Sequence, residues 1–406
     1  MSPALRLLCV TPFYAPAWHL GGIVRSVSQL CRGLAALGLD VTVYTTDSGR
    51  DQRLDVPVDR QVDSDGVRVT YFRAEALAWP YSRSLAAACR KTIPAFDLVY
   101  VVSLWNHPGI PARAAAVRYG VPYVESFRGS MAPATLRRAR LRKWLYLKVL
   151  VLPVLRHAAA IHYTTPLERT WTRDLRLDVP SFVVPNGLDL SEFDGLPDRP
   201  AARQALGLGG DELVVTYLGR LDARKGLDVL VEAFALVAPV CPQSRLLLAG
   251  PDDGFGGTLR RMVARYRLGE YVRFLGFVNP ERRHELLAAS DVFALVAREG
   301  ENFGNAAVEA MATGVPVVVS NEVGVSKDVQ AAEAGHVVPV EVGRIAAALR
   351  CLLGDAAQRR AMGERARCAV RARYGIETVA RQMAAACEDV VSGRRSAGLG
   401  WSDDGA

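Results

Sequence analysis

Short runs rich in Val, Leu and Ile alternate with longer helical segments along most of the chain, and this alternation constrains the fold most strongly. A first series of predicted strands occupies residues 5–11, 41–45, 67–72, 98–102, 123–126 and 160–164. A second series occupies residues 213–218, 246–249, 272–274, 292–296, 315–319 and 336–338. Near-continuous apolar runs are typical of strands buried on both faces, and strands separated by helices form parallel sheets. We therefore predict an α/β protein with two doubly wound domains.

A chain of 406 residues is too long for a single hydrophobic core, so the two series of strands are expected to form two domains. The boundary is predicted near 183–187, where a strand ends and a stretch rich in Pro, Asp and Gly follows. The predicted domains are residues 1–185 and 186–376. A last helix at 377–393 is expected to pack back on the N-terminal domain, and residues 394–406 are predicted to be a disordered tail.

The composition predicts a soluble protein of the reducing cytoplasm. The seven cysteines are odd in number and widely spaced, with no Cys-x-x-Cys pair, so neither a disulfide framework nor a zinc site is indicated. The short apolar run at 5–10 leads directly into Thr11 and Pro12, which indicates a first strand instead of a signal peptide. The longest apolar stretch, 144–155, is shorter than the ~20 residues that span a bilayer.

The most informative motif is the run from Glu301 to Ala312, Glu-Asn-Phe-Gly-Asn-Ala-Ala-Val-Glu-Ala-Met-Ala. It places Glu301 and Glu309 eight positions apart across a glycine-containing turn into a helix, with Glu309 expected about two turns inside that helix. Backbone N–H groups and the positive end of the helix dipole favour an anion at such a turn. The two carboxylates could then reach hydroxyl groups on either side of a bound phosphate.

A second loop, residues 219–226, follows the predicted strand 213–218 and carries Arg220 and Lys225. Ligands of open parallel sheets bind at the carboxyl ends of the strands, and Arg and Lys are the two cations suited to a pyrophosphate. Two solvated loop charges are the alternative interpretation. Together with the Glu301 turn on a neighbouring strand, the two cations favour a phosphate site.

The order of five segments resembles the nucleotide-sugar half of retaining glycosyltransferases of family 4. The segments are Gly-Arg-Leu…Lys-Gly from 219, Leu-Ala-Gly-Pro from 248, Phe-Leu-Gly-Phe-Val from 274, Ser-Asp-Val from 290, and the Glu301 run with Gly-Val-Pro-Val-Val after it. Residues 184–189 resemble the inter-domain segment of that family. The resemblance implies a GT-B architecture, in which two Rossmann-like doubly wound domains face each other across a cleft and the second binds most of the donor.

The resemblance also implies roles for individual residues. Glu309 would hydrogen-bond the ribose diol of a nucleoside-diphosphate sugar, and Glu301 would hold the hydroxyls of the donor sugar. Arg220 and Lys225 would neutralise the diphosphate as it leaves, which stabilises the transition state more than the ground state. The remaining donor-binding positions are the backbone of Asn302, Phe303, Gly304 and Asn305 around the sugar, and of Gly276 and Val278 at the base.

Enzymes of this kind need no divalent metal and no other cofactor, so Asp252, Asp253, Asp403 and Asp404 are interpreted as loop or tail residues. The chain departs from many relatives at 296–298, Val-Ala-Arg, where Pro-Ser is common, and Glu299 is a competing carboxylate. The spacing to Glu309 favours Glu301.

The N-terminal domain is expected to determine acceptor specificity. Gly21 and Gly22 lie between the first strand and a helix, and in the family this loop closes over the donor phosphates; a plain tight turn is the alternative. Arg128 occupies a position where many relatives have His, and is a candidate ligand for the donor phosphate or an anionic acceptor. His107 is a candidate catalytic residue of the acceptor site, with a purely structural histidine as the alternative.

Basic residues are concentrated in the first half of the chain. Residues 1–185 hold 24 basic and 13 acidic side chains, a net charge of +11, whereas the remainder holds 26 and 29, a net charge of −3. Residues 128–156 contain eight basic residues and no acidic one, interleaved with aromatic and aliphatic side chains. Such a segment suits an anionic membrane surface. A core helix with a solvated basic rim is the alternative, and the chain contains no module that indicates nucleic-acid binding.

These observations predict a cytoplasmic, retaining, hexosyltransferase-type glycosyltransferase, peripheral on the inner face of the cell membrane. It would move a sugar from a nucleoside-diphosphate sugar to a glycan or lipid-linked acceptor, in bacterial cell-surface polysaccharide or glycolipid synthesis. A GT-B sugar-nucleotide epimerase and a nucleotide-sugar-binding protein without turnover are the alternatives. The nucleotide base, the sugar, the acceptor and the oligomeric state stay open.

Overall fold

The computed structural model describes residues 4–137, 144–395 and 401–403. The chain divides into two compact units: unit 1 combines the residues up to Leu188 with those from Ile376 onward, and unit 2 comprises Asp189–Gly375. Each unit contains its own sheet. The change from one unit to the next comes a few residues after the boundary predicted at 185.

The elements are numbered along the chain. The strands are β1 (Arg6–Val10), β2 (Asp40–Thr46), β3 (Gln61–Ser64), β4 (Val67–Phe72), β5 (Leu98–Val102), β6 (Tyr123–Ser126), β7 (Ala160–Tyr163), β8 (Pro180–Val183), β9 (Leu213–Leu218), β10 (Ser244–Ala249), β11 (Val272–Gly276), β12 (Val292–Leu295), β13 (Val317–Ser320), β14 (Gly335–Val338) and β15 (Ser402–Asp403). The α-helices are α1 (Gly22–Ala36), α2 (Arg83–Thr92), α3 (Gly109–Tyr119), α4 (Pro133–Arg137), α5 (Leu152–Leu155), α6 (Pro166–Thr170), α7 (Arg199–Ala205), α8 (Leu227–Val237), α9 (Gly256–Arg265), α10 (Pro280–Ala289), α11 (Asn305–Ala312), α12 (Ser326–Ala331), α13 (Val342–Gly354), α14 (Ala356–Arg373) and α15 (Ile376–Ser392). A π-helical turn, Leu147–Val151, precedes α5.

Unit 1 is built on a sheet with the strand order β15-β8-β7-β6-β5-β1-β2-β4-β3. The pairs β3–β4 and β8–β15 at the two edges are antiparallel, and the others are parallel. Successive residues of β1 enter different cores, because Leu7 and Cys9 pack into one apolar cluster whereas Leu8 and Val10 pack into another. A strand covered on both faces needs apolar residues at every position, which explains the continuous apolar runs.

Unit 2 is built on a parallel sheet with the strand order β11-β10-β9-β12-β13-β14. The order reverses between β9 and β12, and the corresponding reversal in unit 1 lies between β1 and β5. Ligands of doubly wound sheets bind outside the carboxyl ends of the strands at such a reversal. The α/β class with two doubly wound units is therefore confirmed, and in unit 2 the loops after β9 and β12 flank the reversal.

Helix α15 completes the core of unit 1 although unit 2 separates it in sequence from the rest of that unit. Val379, Met383 and Cys387 are buried in the same cluster as residues of β1 and α1. The approach to α1 is close, because a Cβ built on Gly33 would lie 3.0 Å from the Cβ of Ala380. The last helix is therefore a core element of unit 1.

The prediction of a disordered tail at 394–406 is wrong for residues 401–403. Ser402 and Asp403 pair antiparallel with β8, and the ring of Trp401 lies 5.0 Å from that of Phe182, centroid to centroid. The indole N–H of Trp401 also donates to Asp389 (3.2 Å). The composition of the tail is polar, but the half-buried Trp401 packs against the core of unit 1, and the edge strand β8 provides a pairing partner. Residues 396–400 and 404–406 lie outside the described residues.

The short polar strand β3 was not predicted, because Gln61–Ser64 alternates between exposed and half-buried positions at the sheet edge. Across the described residues, no helix combines the length and the apolar character needed to cross a lipid bilayer.

Candidate functional site

The loop after β9 positions Lys225 at the point where the strand order of unit 2 reverses. Asp222 caps a 3-10 turn, Ala223–Lys225, by accepting the backbone N–H of Arg224 (2.8 Å). Gly226 follows with φ of +67°, and a Cβ at this position would lie 2.1 Å from the carbonyl oxygen of Val296. Only glycine permits both the conformation and this approach. The loop therefore packs directly against the segment that leaves β12.

Glu301 lies in that segment and forms an ion pair with Lys225, both side chains being mostly buried. The backbone holds the glutamate in place: its N–H donates to the carbonyl of Glu322 (3.1 Å), and its carbonyl accepts the N–H of Gly324 (2.8 Å). The pair joins the two loops that flank the reversal. The structure thus brings together the cation and the carboxylate singled out for the diphosphate and the donor sugar.

Helix α11 begins at Asn305, immediately after Gly304. Gly304 has φ of +100°, and a Cβ there would lie 2.7 Å from the side chain of Val323, so the turn requires glycine. The backbone of residues 302–305 forms the turn into the helix N-terminus, as expected for a site that binds hydroxyl or phosphate oxygens. Glu309 lies one turn inside the helix, which corrects the predicted two turns because the helix begins later than assumed.

Glu309 is buried and lies 3.6 Å from the guanidinium group of Arg283 on α10. Arg283 also contacts Glu192 (3.3 Å), so one cation is shared by two carboxylates. Arg283 was not among the residues predicted from the sequence. The one local signal was the adjacent pair Arg282-Arg283 just after the loop of Gly276 and Val278, and nothing in the sequence links it to Glu309.

Arg220 does not share the Lys225–Glu301 contact; its guanidinium group forms an ion pair with Asp253 in the loop after β10. In the same loop Asp252 accepts the backbone N–H groups of Gly256 (2.8 Å), Gly254 and Phe255 (3.0 Å each). These hydrogen bonds, that of Gly256 first, lower the pKa of Asp252. Among the described residues, no group of three or more His, Cys, Asp and Glu side chains has a metal-binding arrangement.

Gly276 is the last residue of β11, the edge strand of the unit 2 sheet, and Val278 lies in the loop that follows. Gly276 has φ of +67° and accepts the backbone N–H of Gly250 (2.7 Å). The loop is separated from β12 by two strands, so it does not lie beside Glu301. Its link to the site is α10, which starts two residues after Val278 and carries Arg283.

In unit 1, Gly21 and Gly22 lie at the start of α1, in the loop that leaves β1 at the strand reversal. Gly21 has φ of +89°, and its N–H donates to Trp18 (3.1 Å). Both glycines are exposed, which leaves the N-terminus of a 15-residue helix open to an anion.

His107 is buried beside the carboxyl end of β5, and its Nδ1 accepts the backbone N–H of Ser82 (3.3 Å). Burial lowers the pKa of His107, so the ring is neutral near pH 7. Because Nδ1 is the acceptor, the proton lies on Nε2. In this tautomer Nε2 donates a hydrogen bond and cannot take a proton, so His107 is suited to binding a hydroxyl and not to acting as a base.

The loop that carries His107 is anchored by a buried ion pair. The guanidinium group of Arg113 on α3 binds both carboxylate oxygens of Glu125 on β6, at 2.7 Å each, and donates to the carbonyl of Ser103 (3.2 Å). Ser103 follows β5 directly and has φ of +67°. The ion pair therefore fixes the first residue of the loop.

The prediction that Arg128 contacts a ligand anion is not supported by its surroundings. Its guanidinium group donates to the hydroxyls of Tyr100 (3.0 Å), Ser126 (3.1 Å) and Ser26 (3.2 Å), and to the side-chain oxygen of Asn186. Four of its five N–H groups are thus used on neutral protein oxygens. Arg128 organises the interior of unit 1, a role that a position after a strand does not reveal.

Comparisons with known proteins agree with this architecture. Residues 198–368 match the profile of the family described as "Glycosyl transferases group 1", and residues 21–187 match the "Glycosyl transferase 4-like domain". A D-inositol 3-phosphate glycosyltransferase of Kineococcus radiotolerans is 31% identical over 379 residues, which cover 85% of this chain and 85% of that protein.

A second relative is the GDP-mannose-dependent monoacylated alpha-(1-6)-phosphatidylinositol monomannoside mannosyltransferase of Corynebacterium glutamicum. It is 31% identical over 208 residues, which cover 49% of this chain and 54% of that protein, or about half its length. Among solved structures, Anabaena HepE in complex with UDP-glucose matches with a TM-score of 0.74 and 21% identity, covering 95% of this chain and 100% of that one.

Two Rossmann-like units with these strand orders, together with the likeness to HepE, define a protein of the GT-B fold class. The chain belongs to the glycosyl transferases group 1, the family-4 glycosyltransferases of that class. The resemblance stated from the sequence and the enzyme class expected from it are confirmed.

Proposed function

We propose that the protein is a retaining hexosyltransferase that moves a sugar from a nucleoside-diphosphate sugar, without a divalent metal, to a glycan or lipid-linked acceptor. Its setting would be bacterial cell-surface polysaccharide or glycolipid synthesis at the inner face of the cell membrane. The observation that carries the proposal is the Lys225–Glu301 ion pair at the strand reversal of unit 2. A cation for a diphosphate and a carboxylate for sugar hydroxyls meet where ligands of doubly wound sheets bind.

The names of the relatives support the substrate classes. The Corynebacterium relative is named for its dependence on GDP-mannose, and HepE was solved with UDP-glucose. The acceptors in the two relatives' names are D-inositol 3-phosphate and monoacylated phosphatidylinositol monomannoside.

In the proposed reaction, an acceptor oxygen bonds to the anomeric carbon while the bond from that carbon to the diphosphate breaks on the same face of the sugar. The acceptor proton passes to the leaving diphosphate, whose negative charge grows as its bond breaks. Lys225 and Arg220 stabilise this growing charge, and the N-terminus of α11 adds its dipole. When Lys225 exchanges Glu301 for a phosphate oxygen, the Glu301 carboxylate becomes available to accept hydrogen bonds from sugar hydroxyls.

The donor is identified by a thermal-shift panel of UDP, GDP, ADP and their common sugar conjugates, without added metal. A ligand at about 100 times its Kd stabilises the fold by ~2.7 kcal/mol, which raises the melting temperature measurably. Product analysis with and without an acceptor then tests the activity. A changed sugar nucleotide formed without acceptor would indicate an epimerase, and binding without any product would indicate a protein that has lost turnover.

We further propose that the helical segment at 144–155 rests on an anionic membrane surface. Trp144, Leu145, Val149 and Leu150 are 51–59% exposed. The opposite side of the segment, including Leu147, Val151 and Leu155, is buried in the core of unit 1. An exposed patch of large apolar side chains indicates an interaction surface.

Exposed basic side chains accompany this segment in the sequence, as in helices that lie on a membrane surface. Lys148 and Arg156 are exposed within and after the segment, and Arg137 is exposed at the end of α4. Each cation near an anionic surface adds about 1 kcal/mol of attraction. Arg128 contributes nothing here because its side chain points inward, and Arg138, Arg140, Arg142 and Lys143 lie outside the described residues.

Co-sedimentation with phosphatidylglycerol-containing vesicles at low salt tests the membrane proposal. Val149→Asp is expected to reduce binding strongly, whereas Leu236→Asp, at a comparably exposed apolar position of unit 2 (51% against 59%), should leave it unchanged. Equal binding of both variants, or no binding by the wild-type protein, would contradict the proposal.

A further inference from the structure

Three aromatic rings, an indole, a phenol and an imidazole, cluster at the carboxyl edge of the unit 1 sheet. Trp79 and Tyr81 lie between β4 and α2, and His107 lies between β5 and α3. The ring centroids of Tyr81 and His107 are 4.4 Å apart, those of Trp79 and His107 5.5 Å, and those of Trp79 and Tyr81 6.4 Å. We call Trp79, Tyr81 and His107 the aromatic platform.

The loop that presents Trp79 is closed by its own hydrogen bonds. The N–H of Glu75 donates to the carbonyl of Tyr81 (2.8 Å), and the N–H of Tyr81 donates to that of Ala76 (3.2 Å). The next residue, Ser82, caps α2 and donates its N–H to His107. Trp79 is nevertheless 42% exposed. The fold therefore fixes both ends of the loop and leaves the indole in contact with solvent.

His107 gives the platform a single polar group of defined character. Its Nδ1 is occupied by the N–H of Ser82, so Nε2 carries the proton. Within the part of the chain that the structure describes, Nε2 has no hydrogen-bond partner, and it is not a fully enclosed atom either. The platform thus combines an accessible indole with one N–H donor available to a ligand.

This combination matches a six-membered polyhydroxylated ring, which presents C–H groups on its face and hydroxyls at its edge. Tryptophan and tyrosine supply rigid apolar contact area at low entropic cost, and small-molecule sites add a few placed polar groups to such surfaces. We propose that the aromatic platform binds a pyranose or inositol ring of the acceptor, with its C–H face against Trp79 and a hydroxyl accepting the Nε2–H of His107. This proposal rests on the proposed function and narrows the acceptor class.

Ligand-observed saturation-transfer NMR on the full chain tests the platform, with methyl α-mannopyranoside, methyl α-glucopyranoside and myo-inositol as separate probes. The probe that binds distinguishes a pyranose from an inositol acceptor. Trp79→Ala is expected to weaken binding by about two- to tenfold, the range of a single aromatic contact, and Trp79→Phe should restore part of the loss. His107→Phe should remove the contribution of the hydrogen bond while keeping a ring.

Tyr119→Ala is the matched control, because Tyr119 is 41% exposed on unit 1 but lies at the end of α3 that is remote from the strand carboxyl ends. It should bind the probe like the wild-type protein. Nucleotide binding, measured by thermal shift, is followed in every variant. If the nucleotide binds but no ring probe does, or if the wild-type protein and Trp79→Ala bind the probe equally, the proposal for the aromatic platform is refuted. The proposed donor site is then unaffected. If the wild-type protein binds no nucleotide or nucleotide sugar, the proposed function itself is refuted.

Discussion

The ion pair of Arg113 and Glu125 offers a quantitative test of how unit 1 is held together. The side chains are 3% and 0% exposed, and two N–H···O contacts of 2.7 Å join them. Removing one member leaves a buried charge without compensation, which costs ~3–5 kcal/mol. Replacing both by apolar residues of similar size removes both charges, and such exchanges are often neutral or stabilising.

We therefore expect Arg113→Met and Glu125→Leu each to destabilise unit 1 by about 4 kcal/mol. The double variant should regain most of this loss and lie within about 2 kcal/mol of the wild-type protein, a large favourable coupling. Arg113→Met, alone or in the double variant, should also loosen the loop of His107, because Arg113 holds the carbonyl of Ser103.

Urea unfolding followed by tryptophan fluorescence measures these changes for unit 1 alone. All six tryptophans belong to unit 1, at positions 18, 79, 105, 144, 171 and 401, and residues 189–375 contain none. The midpoint and slope then give the free energy of unfolding for this unit. A loss below about 1 kcal/mol in either single variant, or a double variant as unstable as the sum of the two, would refute the reasoning.

Three further outcomes are expected. Glu309→Ala should weaken nucleotide binding about tenfold or more, through loss of hydrogen bonds to a charged group, whereas Glu301→Ala should mainly reduce the rate of sugar transfer. Nucleotide titration measures the first effect and initial rates of transfer measure the second. Unchanged values in both variants would contradict the site. Burial lowers the pKa of His162 to about 3, so the ring stays neutral in the fold while the unfolded chain gains a proton below the ordinary pKa of about 6.5. The free energy of unfolding should therefore fall between pH 6.5 and 3, by at most ~1.4 kcal/mol per pH unit. The unfolding of His162→Gln should depend less steeply on pH. Cys351 and Cys368 are exposed and should react rapidly with a thiol reagent in the native protein, and rapid labelling of all seven cysteines would contradict the described packing.

The sequence was sufficient for those parts of the structure that follow from local pattern. Continuous apolar runs predicted most strands of both sheets, although not β3 or β15. The loops after β9 and β12 were identified from their glycines, two cations and two glutamates. Lys225 and Glu301 meet because their strands are neighbours, which the fold class itself implies.

Contacts between distant segments could not be predicted in the same way. Arg283 lies 3.6 Å from Glu309 although 26 positions separate them in sequence. Arg128 turns inward because neutral oxygens from four segments surround it. The aromatic platform likewise requires two loops from different strands to meet, and neither Trp79 nor Tyr81 stands in a recognisable motif. In each case the residue type indicates which interactions are possible, but the sequence does not indicate which distant residues it contacts.

Helix α15 belongs to the core of unit 1 but follows the whole of unit 2 in sequence, and this has a consequence for synthesis on the ribosome. Unit 2 is contiguous and can fold once Gly375 has emerged, whereas unit 1 waits for Val379 and Met383 to cover its core. At ~5–20 residues per second, the 187 residues of Asp189–Gly375 take roughly 10–40 s to be made. During that interval the nascent chain exposes the apolar surface beside α1. The first half of the protein is therefore the client that a ribosome-associated chaperone would protect, although it is the first to be made.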